Sequence, residues 1–142
     1  DALVIYGEGL APDRPCTAGA LTMLGRVLLQ REQLAEAESA LQEALAIWSA
    51  QYGPDSDEYA IANSSLARTW ALQKRYAEAE RAYKQSYPVL RQTRGADADA
   101  TVRVREWIEE LYRNQGRAEE AVSYFEGFAP RPVRDQNAAA AG

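Results

Sequence analysis

Residues 34–42 read LAEAESALQ, and related stretches follow as YAEAERAYK at residues 76–84 and AEEAVSYFE at residues 118–126. The central alanines, Ala37, Ala79 and Ala121, recur at a constant interval, since 79 − 37 = 42 and 121 − 79 = 42. We call this interval the repeat period. A glutamate precedes each alanine, and a large apolar residue follows four positions later, which is the spacing of one helix face. The pattern indicates a chain built from a repeated helical unit.

A second set of apolar residues keeps the same repeat period upstream of each alanine. This set comprises Leu24, Leu66 and Ile108, together with Leu28, Trp70 and Tyr112. The apolar spacing predicts two helices in each unit. Their predicted ranges are 17–31 and 34–51, 57–73 and 76–94, and 98–114 and 117–128. Short polar links make paired helices antiparallel neighbours, and a repeat period of about 20–50 residues is typical of a solenoid.

The composition argues against several classes of function. The 142 residues include no histidine and one cysteine, so we expect no Ser-His-Asp or Cys-His catalysis, no disulfide within the chain, no metal site and no cofactor. The net charge is −5 and no basic block is interleaved with aromatics, which argues against nucleic acid as a partner. No apolar run approaches the roughly 18 residues of a membrane span, so no membrane partner is expected. The single cysteine, Cys16, favours a reducing compartment, and we expect a cytoplasmic protein that is not an enzyme.

The two ends of the chain differ from the repeats between them. Residues 2–6 read ALVIY and align, one repeat period earlier, with ALAIW at residues 44–48. Residues 1–10 are therefore predicted to be the second helix of a repeat whose first helix is missing, as in a fragment of a longer array. The predicted boundaries of the three repeats and of a disordered tail are 14–52, 55–95, 97–128 and 129–142.

These patterns resemble the tetratricopeptide repeat. In that family the first helix carries a large apolar residue, a small residue and an aromatic, and the second helix carries an alanine and an aromatic. In the second copy these positions are held by Leu66-Ala67, Trp70, Ala79 and Tyr83. The long period looks like the variety found in kinesin light chains and bacterial signalling proteins. The resemblance implies an all-α, right-handed superhelical solenoid of antiparallel helix pairs, with a concave groove that binds peptides or partner domains.

The third copy departs from this pattern, because Glu109 occupies the small-residue position of Gly25 and Ala67. A glutamate does not allow the same close approach of two helices unless its head group reaches water. The third repeat is therefore expected to be either loosened or a polar terminal cap. In the loop before the second repeat, Asp55 followed by Glu58 has the form of a capping box.

In tetratricopeptide arrays the first helices line the concave side, so the expected groove residues lie opposite the Leu24/Leu28 face. These residues are Thr22, Arg26, Leu29, Ser64, Arg68, Ala71, Glu106, Glu110 and Arg113. Arg26 and Arg68 lie one repeat period apart, and together they could hold a carboxylate or a phosphate. Alternatively, Arg68 pairs with Glu110 and Arg26 is only solvated.

The helix that carries Glu106 and Glu110 leaves two further questions open. Trp107 could anchor a bound peptide, although a tryptophan in a helical array more often packs between repeats. The charges at Arg103, Glu106, Glu110 and Arg113 have i, i+3, i+4 spacing, and we expect them to pair along the helix surface.

We therefore expect a protein-interaction scaffold, whose groove binds a protein segment or a peptide. The alternative is self-association, in which an exposed end of the array stacks on a second copy of the chain. The residues expected to form that oligomer face are Leu3, Ile5 and Tyr6.

Overall fold

The computed structural model describes residues 15–128, and this part of the chain contains six α-helices and no strand. The helices are α1 Pro15–Gln30, α2 Leu34–Tyr52, α3 Asp57–Leu72, α4 Tyr76–Arg94, α5 Asp99–Asn114 and α6 Ala118–Glu126. All six helices predicted for the three repeats are present, with ends within two residues of the predicted ones. The helix predicted over residues 1–10 and the tail predicted over residues 129–142 lie outside the described residues.

The helices form three antiparallel pairs stacked in a row. Helix α1 packs against α2, α3 against α4, and α5 against α6, while α2 also contacts α3 and α4 contacts α5. The first helices of successive pairs contact each other as well, α1 with α3 and α3 with α5. This is the arrangement of a helical-hairpin solenoid. The prediction of an all-α solenoid of antiparallel helix pairs is confirmed.

The turn inside each pair is built in the same way in every repeat. The residue with a left-handed backbone has a φ of 60° to 70° in all three turns: Glu32, Lys74 and Gly116. In the second turn the Lys74 N–H donates to the Ala71 carbonyl at 3.0 Å, and the Arg75 N–H donates to the Trp70 carbonyl at 2.8 Å. These are the two hydrogen bonds of a Schellman motif, which satisfies the last carbonyls of a helix and reverses the chain.

An arginine directly after the turn ties neighbouring repeats together. The Arg75 guanidinium donates to Glu38 of the preceding repeat at 3.1 Å and to Glu78 of its own helix at 2.7 Å. The equivalent contacts, one repeat period later, join Arg117 to Glu80 at 2.8 Å and to Glu120 at 2.7 Å. The sequence period is therefore also a period of side-chain contacts between repeats.

Residue size at one repeat position differs between the three helix pairs. A Cβ on Gly25 would lie 2.5 Å from the Leu41 Cγ. The Leu41 side chain of α2 therefore packs directly against α1 at Gly25, and a larger residue has no space there. Ala67 at the equivalent place is fully buried. Glu109 is half-buried, accepts a hydrogen bond from Arg105 at 3.2 Å, and lines an open cavity of about 530 Å³ between α5 and α6.

The third pair is thus more polar than the other two at this position, and less of its second helix is buried. Its second helix, α6, has nine residues, of which only Ala121 is buried. The buried side chains form two clusters, one in the first repeat that extends to Ala62 of α3 and a larger one that joins the second and third repeats.

The predicted capping box at the start of α3 is wrong. The N-cap residue is Ser56, whose hydroxyl accepts a hydrogen bond from the Tyr59 N–H at 3.2 Å. Asp55 lies one residue too early for this role. Asp57, inside the helix, accepts hydrogen bonds from Thr93 and Arg94 at the end of α4 instead. At the start of α5 the N-cap is Ala98, which makes no side-chain cap.

Candidate binding surface

The first helices of the three repeats enclose a small cavity of about 170 Å³ on the side of the array that they line together. Helix α1 contributes one residue to its wall, α3 contributes three, and α5 contributes most of the rest. The lining residues are Arg26, Ile61, Ser64, Ser65, Arg94, Asp99, Ala100, Arg103, Val104 and Trp107. We call this site the concave cavity.

The concave cavity is basic, although the chain as a whole carries a net charge of −5. Three arginines line it, Arg26, Arg94 and Arg103, against a single carboxylate, Asp99. Arg94 is already paired with Asp57. Within residues 15–128, Arg26 and Arg103 make no ion pair, so two guanidinium groups from different repeats stay available for an anionic group.

Trp107 fulfils the packing role and also reaches the cavity wall. Its ring is partly buried and packs against the cluster that joins the second and third repeats. The Arg68 guanidinium lies over the indole, 5.7 Å from the ring centroid, which is cation–π geometry. Because Trp107 lines the concave cavity together with Arg103, a bound segment could contact it there.

Arg68 is occupied by a carboxylate of the next repeat. Its guanidinium donates a hydrogen bond to Glu110, and the two residues form an ion pair. The pair lies beside the buried Tyr83, whose hydroxyl pKa is raised by burial. Of the two alternatives for Arg68, the structure therefore shows pairing with Glu110. An anion held jointly by Arg26 and Arg68 would have to displace that carboxylate.

Three residues expected to line the groove are buried instead. The Thr22 hydroxyl donates to the Ala18 carbonyl at 2.8 Å and accepts from the Trp48 indole N–H at 3.1 Å. Leu29 is buried as well. Ser64 lines the concave cavity, but it is only 3% exposed and its hydroxyl donates to the Ile61 carbonyl. These side chains support the array rather than offering a free contact surface.

The remaining expected groove residues lie apart from the concave cavity. Ala71 is half-buried and Glu106 is exposed. Arg113 is exposed and lines the separate cavity between α5 and α6. The expectation of charge pairing along α5 is wrong for this set, since Glu110 pairs across repeats with Arg68. The expected oligomer face at Leu3, Ile5 and Tyr6 lies outside the described residues.

The sequence grouped Arg103 with charges expected to pair along its helix, and it did not single out Arg94 or Asp99, which line the same cavity. Arg103 lies four residues before Trp107, which places the two side chains on one face of α5, and this spacing could have grouped them. Arg94 ends α4 and Asp99 begins α5, so they reach the cavity through the path of the loop between the helices.

Between residues 15 and 128, no group of three acidic or cysteine side chains is placed to hold a metal ion. None of the six described helices is long and apolar enough to cross a membrane.

Comparison with known proteins identifies the family. The tetratricopeptide repeat model matches residues 16–92, which is more than half of the chain, and the chain belongs to this family. No curated protein sequence is significantly similar to it. Repeats of this family generally mediate protein–protein interaction, and their scaffolds are generally not catalytic.

Solved structures show the same fold at low sequence identity. A Podosopora anserina kinesin light chain-type protein with nearly identical TPR-like repeats has a TM-score of 0.76 and 19% identity, over 88% of this chain and 59% of that one. A variant of it has a TM-score of 0.69 and 18% identity over the same shares of the two chains. The TPR domain of Arabidopsis FLU has a TM-score of 0.64 and 16% identity, over 78% of this chain and 90% of that domain. The right-handed superhelical solenoid is thus the fold of this chain, which spans 59% of the kinesin light chain-type structure.

Proposed function

We propose that this chain is a protein-interaction module without catalytic activity, and that its concave cavity binds an extended acidic segment of a partner protein. The observation that carries the proposal is the pair Arg26 and Arg103, which come from two different repeats and line one cavity without ion-pair partners in the described structure. The family assignment supports a protein as the partner.

The chemistry of the cavity favours a carboxylate-bearing segment over a neutral one. A guanidinium presents a planar fork of donors that matches a carboxylate, and such charge-assisted hydrogen bonds are stronger than neutral ones. Trp107, which lines the same cavity, adds an aromatic contact next to these charges. The negative charge of the rest of the chain makes this basic cavity the place where an acidic segment meets least repulsion.

Fluorescence polarisation with two short labelled peptides tests the proposal. One peptide alternates glutamate and leucine, and the other alternates lysine and leucine. We expect the acidic peptide to bind more tightly, with an affinity that falls as salt is raised. The double substitution Arg26→Gln and Arg103→Gln should weaken its binding about tenfold or more, because two charge-assisted contacts are lost.

A matched variant controls for the loss of net charge. Arg31→Gln with Arg81→Gln removes two arginines that are exposed and lie outside the concave cavity, so binding should stay within about twofold of the unmodified chain. Equal binding of both peptides, or equal loss of binding in the two double variants, would contradict the proposed site.

Self-association through an end of the array is a second candidate function. The specific observation in its favour is the apolar edge of α1, where Met23 is 59% and Val27 is 42% exposed. Light scattering over a concentration series measures it directly. A mass that rises above 15.7 kDa with concentration supports self-association, and a constant mass rejects it.

A further inference from the structure

The concave cavity concentrates positive charge from all three repeats. Arg26 comes from α1 in the first repeat, Arg94 from the end of α4 in the second, and Arg103 from α5 in the third. Asp99 is the one carboxylate among the lining residues, so their formal charge is +2, from 3 − 1. The residues that α3 contributes carry no charge. The cavity therefore matches a group with two negative charges better than a group with one.

The space in the cavity limits how that negative charge can be carried. A water molecule occupies about 30 Å³ in the liquid, so a volume of about 170 Å³ corresponds to roughly six water-sized groups. The phosphate of a phosphorylated side chain is one phosphorus atom with its oxygens, and it carries a charge of about −1.5 to −2 at neutral pH. Two glutamate side chains supply a similar charge, but their methylene groups need additional space. A single phosphorylated side chain therefore fits both the volume and the charge.

The cavity is accessible to a side chain of a bound protein segment. Arg94, Asp99 and Arg103 are exposed, so the cavity opens to solvent, whereas Arg26 is half-buried. Part of the wall is aromatic, because Trp107 lines it as well. A free phosphate ion gains little from such a wall, but the residues beside a phosphorylated side chain can pack against it. These features favour a phosphorylated segment over a free ion.

We propose that the concave cavity recognises a phosphoserine in the bound segment, with Arg26 and Arg103 holding its phosphate. This inference rests on the proposed function, and it specifies which acidic group the cavity selects. Each guanidinium can donate two parallel hydrogen bonds to phosphate oxygens, so two arginines together can satisfy a dianion. Phosphorylation of the partner protein would then switch the interaction on.

Three labelled peptides that differ at one residue test the proposal by fluorescence polarisation. Each peptide alternates glutamate and leucine, and its central residue is serine, glutamate or phosphoserine. We expect the phosphoserine peptide to bind about tenfold more tightly than the glutamate peptide at about pH 7.5, because it adds charge and hydrogen bonds. Arg26→Gln with Arg103→Gln should abolish this preference. Arg31→Gln with Arg81→Gln, outside the cavity, should preserve it.

The pH dependence of the preference separates a phosphate from a carboxylate. The second ionisation of a phosphorylated side chain has a pKa of about 6, whereas a peptide glutamate is already ionised at about pH 5.5. The charged groups that face the cavity are three arginines and Asp99, from α1, α4 and α5. Histidine, the side chain that ordinarily titrates in this range, is absent from the chain. We therefore expect the preference for phosphoserine to shrink to about threefold or less at about pH 5.5.

Removal of the one carboxylate that lines the cavity should strengthen binding. Asp99→Asn takes away a charge that repels the phosphate, so the phosphoserine peptide should bind about threefold more tightly, with a smaller gain for the glutamate peptide. Asp97→Asn is the matched control, because Asp97 is exposed, lies two residues earlier and does not line the cavity. It should change neither affinity. Equal effects of the two substitutions would contradict the proposal.

The peptide affinities distinguish this proposal from the proposed function. Equal binding of the glutamate and phosphoserine peptides would overturn the assignment of phosphoserine and leave the acidic segment in place. Failure of both peptides to bind would reject both proposals. Displacement of the phosphoserine peptide by inorganic phosphate at about 1 mM or less would show that the cavity takes a free ion, and it would also overturn the inference.

The arginine variants decide where the phosphate binds. A preference for phosphoserine that persists in the Arg26→Gln and Arg103→Gln double variant would place the phosphate outside the concave cavity, which would overturn the inference as well.

Discussion

At the residue scale, one repeat position differs in size and polarity across the three helix pairs. The position is held by Gly25, Ala67 and Glu109 in succession. Glycine leaves room for the Leu41 side chain against the α1 backbone, alanine is fully buried, and glutamate keeps its carboxylate half-exposed with Arg105. Packing at native density makes even one methyl group matter at such a contact.

Gly25→Ala should destabilise the chain by about 1–3 kcal/mol, because overpacking outweighs the gain in helix propensity. The added Cβ would lie 2.5 Å from the Leu41 Cγ. Urea denaturation measures the difference. Gly19→Ala on the same helix is the control, because nothing lies within 4 Å of the added Cβ, and it should be neutral or stabilising by up to about 1 kcal/mol.

Truncating the opposing residue should reverse the sign of the Gly25 effect. In a Leu41→Ala background, itself destabilised by about 2–5 kcal/mol, Gly25→Ala no longer meets the leucine and should be neutral or stabilising. An equal loss of stability in both backgrounds would show that contact with Leu41 is not the cause.

Lys74→Gly should stabilise the chain by about 1 kcal/mol, because a left-handed backbone is unfavourable for a residue with a Cβ. Lys74 has a φ of 65°, whereas the third turn has Gly116 in this place. Thermal or urea denaturation provides the comparison. Lys74→Ala removes the same charge without relieving the backbone, so it should show no such gain. A similar gain in both variants would assign the effect to charge.

At the element scale, the arginine after each turn acts between helices. Arg117 reaches Glu80 on α4 while its guanidinium lies 4.7 Å from the Tyr112 ring centroid on α5. Burial alone would raise the pKa of Glu80, but hydrogen bonds from Arg117 and Lys84 outweigh burial and lower it. Because the carboxylate is more easily ionised in the folded state, it stabilises the contact between the second and third repeats at neutral pH.

Glu80→Gln should lower stability by about 1 kcal/mol near neutral pH, and the difference should shrink in acid. The lowered pKa means that the contribution of Glu80 is complete above the ordinary carboxyl value of 4.5 and is lost as the pH falls through the folded-state pKa. Denaturation at about pH 7 and about pH 3 measures both differences. Glu126→Gln, an exposed carboxylate without an ion pair in the described structure, should show little change. A Glu80 effect independent of pH would contradict the role of its charge.

At the scale of the whole molecule, stability should vary along the array because each repeat contacts only its neighbours. The second repeat is covered on both sides, and eight residues of α3 and six of α4 are buried, against five of α5 and one of α6. The last helix, α6, is covered on one side and buries only Ala121. The array therefore has a stable centre and a weaker C-terminal end.

Native-state hydrogen exchange should follow this order. We expect the amides of α3 and α4 to exchange most slowly and those of α6 to exchange fastest, since exchange reports local opening and not only global unfolding. Mass spectrometry of exchanged peptides resolves the helices. Uniform protection across all six helices would mean that the array unfolds as one cooperative unit.

The sequence by itself determined the helices, their pairing and the family. The apolar spacing of each helix is local and the repeat period is constant along the chain. Both patterns can therefore be recognised in the sequence without knowledge of the tertiary contacts. Glu109, at the position of Gly25 and Ala67, keeps its carboxylate half-exposed, as the sequence predicted for a glutamate at this place.

Only the tertiary structure decided which polar residues are free to bind. Thr22 and Ser64 are buried by neighbouring helices, Arg68 is paired with Glu110, and Arg103 faces the concave cavity. Each outcome depends on how one repeat is rotated against the next, which sets the helix face that meets a neighbour. The rotation between repeats brings together residues that lie one repeat period apart. The spacing of residues within a single helix gives no information about this rotation.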